Sequence, residues 1–127
     1  MADGSGVACI KYYPREQFRA YHERTQRYAI AVCHRRAGKT LAAVVDTLKR
    51  ACEVPNGRYA YVAPYYAQAK LAAWDYLKQY SEQIRTGSPH ETELRVDLFN
   101  GARVRLFGAD NPDSLRGAGF DGVVLDE

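Results

Sequence analysis

Arg27-Tyr28-Ala29-Ile30-Ala31-Val32-Cys33 runs straight into His34-Arg35-Arg36-Ala37-Gly38-Lys39-Thr40, and the reading of these fourteen residues decides the fold. The first seven are apolar and partly β-branched, as expected of a strand buried on both faces. From Gly38 the apolar period becomes helical, with Leu41, Val44, Val45, Leu48 and Cys52 at i, i+3, i+4, i+7 and i+11, until Pro55-Asn56-Gly57 ends the element. Strand, glycine-bearing loop and helix in that order form the setting of a phosphate-binding loop. Gly38 allows the tight turn that aims backbone N–H groups of residues 37–41, Ala37 included, and the helix N-terminus at a phosphate. Lys39 then reaches the β- and γ-phosphates, and the Thr40 hydroxyl is a ligand for Mg²⁺. Cys33 stands where the usual first glycine would be, so the loop is a deviant one.

Working outward, Arg58 to Ala63 reads as a second strand, and Tyr66 to Ile84 as a long helix. That helix carries Ala69, Ala73, Tyr76 and Tyr80 on one stripe, with Leu71, Trp74 and Leu77 beside it. On the N-terminal side a short helix is expected from Pro14 to about Thr25. Repeated strand–helix alternation means βαβ units and hence a mainly parallel central sheet flanked by helices. One β-hairpin interrupts the pattern. Leu94, Val96 and Leu98 alternate with charged residues, as do Val104 and Leu106 beyond Asn100-Gly101. A two-residue loop would set apolar against charged side chains, whereas a three-residue loop with left-handed Gly101 puts Val96, Leu98, Val104 and Leu106 on one face.

The last strand, Phe120 to Leu125, runs into Asp126-Glu127. A carboxylate at the C-terminal end of such a strand holds Mg²⁺ or its water, and Glu127 beside it is placed to polarise an attacking water. Paired with Gly38-Lys39-Thr40, the two acids point to ATP hydrolysis with Mg²⁺. Arg35 lies where a guanidinium can neutralise charge on a departing γ-phosphate. Gln17 can recognise adenine through its amide, which both donates and accepts.

The counts limit the alternatives. The 127 residues carry 18 Lys+Arg and 15 Asp+Glu, a formal charge of 18 − 15 = +3; 46% are hydrophobic and ten are Tyr. One globular domain at most is expected, and a disordered tail is excluded. Neither a membrane span nor a signal peptide is apparent, which implies a soluble, intracellular chain. Cys9, Cys33 and Cys52 lack the spacing of a zinc site or a disulfide framework. Residues 1–58 hold eleven basic and five acidic residues, and residues 59–127 seven and ten, so the basic half suits a polyanion.

Taken in order, Tyr13-Pro14-Arg15-Glu16-Gln17, Arg35-Arg36-Ala37-Gly38-Lys39-Thr40, Tyr61-Val62-Ala63-Pro64-Tyr65-Tyr66-Ala67-Gln68-Ala69-Lys70 with Trp74, and Ser114-Leu115-Arg116-Gly117 leading to Val124-Leu125-Asp126-Glu127 resemble the large subunit of a tailed-bacteriophage terminase. The resemblance covers nearly the whole chain from Tyr13. It implies a P-loop ATPase that couples ATP hydrolysis to translocation of double-stranded DNA into a procapsid. It assigns Lys39 and Thr40 to phosphate and Mg²⁺, Asp126 to Mg²⁺, Glu127 to catalysis and Gln17 to adenine. It also makes Arg35 an arginine acting in cis and Arg116 one acting in trans on a sister subunit's nucleotide. The partners it implies are DNA held by its phosphates, the terminase small subunit, the portal protein and sister large subunits in a ring, with no membrane, in the host cytoplasm.

Two other readings share these motifs: a superfamily-2 helicase-type ATPase, which normally keeps the first glycine, and an inactive prophage-remnant nucleotide-binding module. In the family the acidic strand is followed by a Ser/Thr coupling motif, the rest of the ATPase domain and a nuclease domain. Residues 1–127 are therefore expected to be an incomplete, N-terminal part of a single P-loop ATPase domain. The strand bearing the coupling motif would lie between the phosphate-loop strand and the acidic strand, leaving a gap at the sheet centre. The expected outcome is little or no ATPase activity from the 127-residue chain; Mg-ATP turnover that disappears in Lys39→Ala would contradict it.

Overall fold

The computed structural model describes residues 12, 16–26, 29–30, 38–116 and 119–126, the side chain of Gln17 excepted. A 3-10 turn, Glu16–Phe18, leads into helix α1, Arg19–Glu23. Helix α2 covers Lys39–Glu53, strand β1 Arg58–Ala63, helix α3 Tyr66–Ala69 and helix α4 Asp75–Ser81. Strands β2, Arg95–Asp97, β3, Arg103–Gly108, and β4, Gly122–Leu125, complete the described elements. The result is the α/β architecture expected: a four-stranded sheet in the order β2-β3-β1-β4, with β1 parallel to both β3 and β4 and only β2 antiparallel.

β1 is buried from Tyr59 to Ala63 because both its faces are covered, which is why it reads as a continuous apolar run. Tyr59, Tyr61 and Ala63 pack on one face with Val44, Leu48 and Ala51 of α2 and with Ala73 and Leu77. Ala60 and Val62 face the other way, against Phe107, Leu115 and Phe120. The described helices α2 and α4 thus share one side of the sheet. β2 and β3 meet with Val96 opposite Val104, joined by the loop Phe99-Asn100-Gly101 with Gly101 at φ +83°. Its Leu98 N–H to Ala102 carbonyl bond of 2.8 Å closes the three-residue turn that the apolar alternation requires.

Two expectations about the helices need correction, and one about a strand falls largely outside the described residues. Of the strand expected over Arg27–Cys33, only Ala29 and Ile30 are described; neither is in a strand, and Ile30 is 91% exposed. Among the described residues no strand borders β4 on its second edge. The other five residues of that segment lie outside the described residues.

The long helix is not uniform: a π-helical turn, Lys70–Trp74, separates α3 from α4. Its buried positions are Ala69, Ala73, Trp74, Leu77 and Ser81, whereas Leu71 is exposed and Tyr76 lies largely outside the core. A spacing of four drifts by about 40° per step on an ideal 3.6-residue helix, and one wide turn takes up that drift. The N-terminal helix ends at Glu23, short of Thr25, because Arg24 turns to extended backbone and donates to the Tyr21 carbonyl (2.6 Å) and Asp46 Oδ2 (3.0 Å).

Asp46, 2% exposed in the middle of α2, gathers a polar network that ties α1 to that helix. Besides Arg24, Arg50 Nε donates to it at 2.9 Å, His22 Nδ1 lies 3.2 Å from Oδ1, and Tyr12 and the other His22 nitrogen are 3.1 Å apart. Burial alone would push the Asp46 carboxyl up. The hydrogen bonds from His22 and Arg50 and the charges of Arg24 and Arg50 outweigh it and hold the carboxyl below its ordinary range. A lowered folded value means that this stabilisation is complete above the unfolded aspartate value of about 3.9 and is lost as pH falls through the folded one. Asp46→Ala is expected to cost about 3–5 kcal/mol in urea denaturation at neutral pH. Asp46→Asn should flatten the loss of stability below about pH 4; a mutant with wild-type acid dependence would assign that loss to other groups.

Candidate functional site

α2 begins where the glycine requires it to. Gly38 sits at φ +91°, ψ +19°, a left-handed conformation that costs other residues about 1–2 kcal/mol, and Lys39 is the first helical residue. No side chain caps this end, and the first internal bond runs from the Ala42 N–H to the Gly38 carbonyl at 3.0 Å. The N–H groups of residues 39–41 are therefore free of intrahelical partners, as at any helix start. Lys39 and Thr40 are both half-buried.

Asp126 reaches the same place from the far end of the chain. β4 lies beside β1 with Leu125 opposite Val62, and the Asp126 N–H donates to the Val62 carbonyl at 2.9 Å. This fixes the residue at the carboxyl edge of three parallel strands, where open α/β sheets bind their ligands. The Thr40 hydroxyl donates to Asp126 Oδ2 at 3.1 Å, across 86 positions of sequence. Lys39 Nζ stands 4.0 Å from Oδ1, at the outer limit of an ion pair. The Tyr61 hydroxyl also donates to Oδ2. Burial, followed by that hydrogen bond and the charge of Asp126, pushes the Tyr61 hydroxyl well above its ordinary range, so it stays a donor.

The arrangement puts an ammonium, a hydroxyl and a carboxylate at the start of a helix. Its donors to a cation would be the Thr40 and Asp126 oxygens, hard ligands of the kind Mg²⁺ takes one or two at a time together with phosphate and water. They fit a nucleotide-bound Mg²⁺. Arg116 is not part of this cluster: it is exposed and pairs with Asp113 at 3.1 Å, just after the 3-10 turn Pro112–Ser114. Arg35, Ala37 and Glu127, and the side chain of Gln17, lie outside the described residues. A cleft of about 320 Å³ opens elsewhere, between the Asp46 network and β4. Arg24, Asp46, Arg50, Tyr59, Asp121 and Val124 line it, and none of the described site residues Gly38, Lys39, Thr40, Arg116 and Asp126 is among its described lining.

Sequence reading missed Tyr61. The available signal was a tyrosine amid the apolar residues of a central strand, since a buried phenol needs a partner for its hydroxyl.

Comparison with known proteins bears on the same region. The family model described as terminase large subunit, T4likevirus-type, N-terminal, matches residues 32–127. Large terminase subunits of Thermus phage G20c and Escherichia phage T5 are 29% and 26% identical to the chain over 93% and 85% of its length, covering 28% and 25% of their own. The Thermus phage P74-26 large terminase ATPase domain superposes with a TM-score of 0.76 at 26% identity, over 93% of this chain and 55% of that one. The chain thus spans about a quarter of the length of the terminase subunits it matches. Gly38→Ala is expected to lower stability by about 1–2 kcal/mol in urea denaturation, through the left-handed backbone alone; an unchanged midpoint would show that the helix starts differently.

Proposed function

The chain belongs to the N-terminal family of phage terminase large subunits, and from that premise we propose that it forms the nucleotide-binding core of a DNA-packaging ATPase. What supports this most is the meeting of Lys39, Thr40 and Asp126 at the start of α2. Lys39 binds the β- and γ-phosphates, and the free N–H groups at the helix start take the remaining phosphate oxygens. Thr40 and Asp126 hold Mg²⁺, directly or through its water. When bound, that ion neutralises charge on the β- and γ-oxygens.

Glu127, next in sequence to Asp126, polarises the attacking water. Arg35 acts in cis on the γ-phosphate, and Gln17 recognises adenine. Arg116 serves the nucleotide of a sister subunit. Its exposed pair with Asp113 suits that task, because a surface ion pair is worth about 0–1 kcal/mol and releases the guanidinium readily. Hydrolysis would drive double-stranded DNA into the procapsid, with the small subunit, the portal protein and sister subunits as partners. Contacts to DNA phosphates would make the binding weaken as salt rises. The family match leaves the helicase reading without an observation of its own.

Binding tests the site more directly than turnover, since the chain spans only part of its relatives. In a titration with a fluorescent ADP and Mg²⁺, the chain should bind, and Lys39→Ala should weaken binding by about ten- to a hundredfold through loss of a charge-assisted contact. No binding by the unaltered chain, or binding indifferent to Lys39, would overturn the proposal.

A further inference from the structure

β1 places one polar atom beneath the site. Tyr61 is 2% exposed, with Leu106 and Val124 as its neighbours in register and α2 across its ring. A ring packed this way keeps its hydroxyl in one position. The groups it meets are less constrained. Lys39 is 39% exposed on a flexible stem and approaches only to 4.0 Å. Asp126 follows the last residue of a strand and is free to turn its carboxylate unless something holds it.

We propose that Tyr61 is a positioning residue of the nucleotide site: its hydroxyl fixes the orientation in which the Asp126 carboxylate serves a nucleotide-bound Mg²⁺. The inference rests on the nucleotide-site reading given above. Two donors share Oδ2, the Tyr61 hydroxyl from the sheet and the Thr40 hydroxyl from the helix. Their agreement turns Oδ1 outward, toward Lys39. Thr40 can present its lone pairs to a cation and still donate its proton to Oδ2. Tyr61 also meets the Thr40 side chain, but it has no cation to serve. It supplies the donor that stays in place whether or not a cation is bound, so the carboxylate is set before the ion arrives.

A tyrosine that merely satisfies its hydroxyl on the nearest acceptor would have the same contacts, and the two roles differ in what Tyr61→Phe does. That substitution keeps the ring and removes one hydrogen bond. A fluorescent ADP, titrated with Mg²⁺ and separately in excess EDTA, reads the difference. The Mg²⁺ midpoint should rise about ten- to a hundredfold, as for loss of one hydrogen bond to a charged group, while binding in EDTA stays as in the unaltered chain. Tyr59→Phe is the control: its hydroxyl donates to the Arg50 carbonyl at 3.3 Å, on the same strand, and its Mg²⁺ midpoint should not move. An unchanged midpoint in Tyr61→Phe, or equal weakening with and without Mg²⁺, overturns the inference and leaves the nucleotide site standing. Failure of the unaltered chain to bind the probe at all overturns both, and is seen before any variant is made.

Discussion

Strand β1 is hydrogen-bonded on both edges and covered on both faces, and the rest of the described structure takes its position from it. Six residues, five of them buried, pair with β3 from Arg58 to Ala63 and with β4 from Tyr59 to Val62. A slip of one residue would move Tyr59, Tyr61 and Ala63 from the α2 side to the side of Phe107 and Phe120, exchanging two tyrosines for an alanine and a valine. The register is therefore dictated by side-chain volume as much as by hydrogen bonds. With the register set, the parallel strands end on one edge, and Asp126 comes out on that edge because β4 is in step with β1.

α2 is held at two points by charge. At its start, Lys39 and Thr40 meet Asp126; in its middle, Asp46 meets Arg24, Arg50 and His22. The two carboxylates do different work. Asp46 is closed off from solvent and its partners are all committed, so it behaves as a structural bolt between α1 and α2. Asp126 stays partly open, with its one ammonium at the limit of contact, which is the condition of a group able to exchange a protein partner for a ligand. Val44 between the two, with Leu48 and Ala51 beyond Asp46, packs against the sheet and keeps the helix start at a constant height above the strand ends.

Much of this was legible in the residues. The change of period at Gly38 marked the helix start, and the alternation around Asn100-Gly101 required the three-residue loop and hence Val96 opposite Val104. A strand ending in Asp126 foretold an acid at the sheet edge, and the family that Gly38-Lys39-Thr40 and its neighbours suggested is the one the chain belongs to. What stayed hidden depends on partners distant in sequence. Asp46 sits off the apolar stripe of α2 and reads as a solvated acid until Arg24 and His22 arrive from another helix. Leu71 has the composition of a core residue, but the π-helical turn at Lys70–Trp74, which leaves no local pattern, goes with its outward position. Tyr61 reads as another buried aromatic; its role emerges only once β4 brings a carboxylate beside it.

The central claim is that Lys39, Thr40 and Asp126 form one nucleotide and metal site. Its most direct measurement is a crystal structure of the protein with Mn²⁺ and a non-hydrolysable ATP analogue, recorded so that the anomalous signal locates the ion. The expected result is an ion in direct contact with Thr40 Oγ1, bound by Asp126 directly or through a water, with Lys39 turned from the carboxylate to the phosphates. An analogue bound elsewhere, or an ion that touches neither Thr40 nor Asp126, would contradict it.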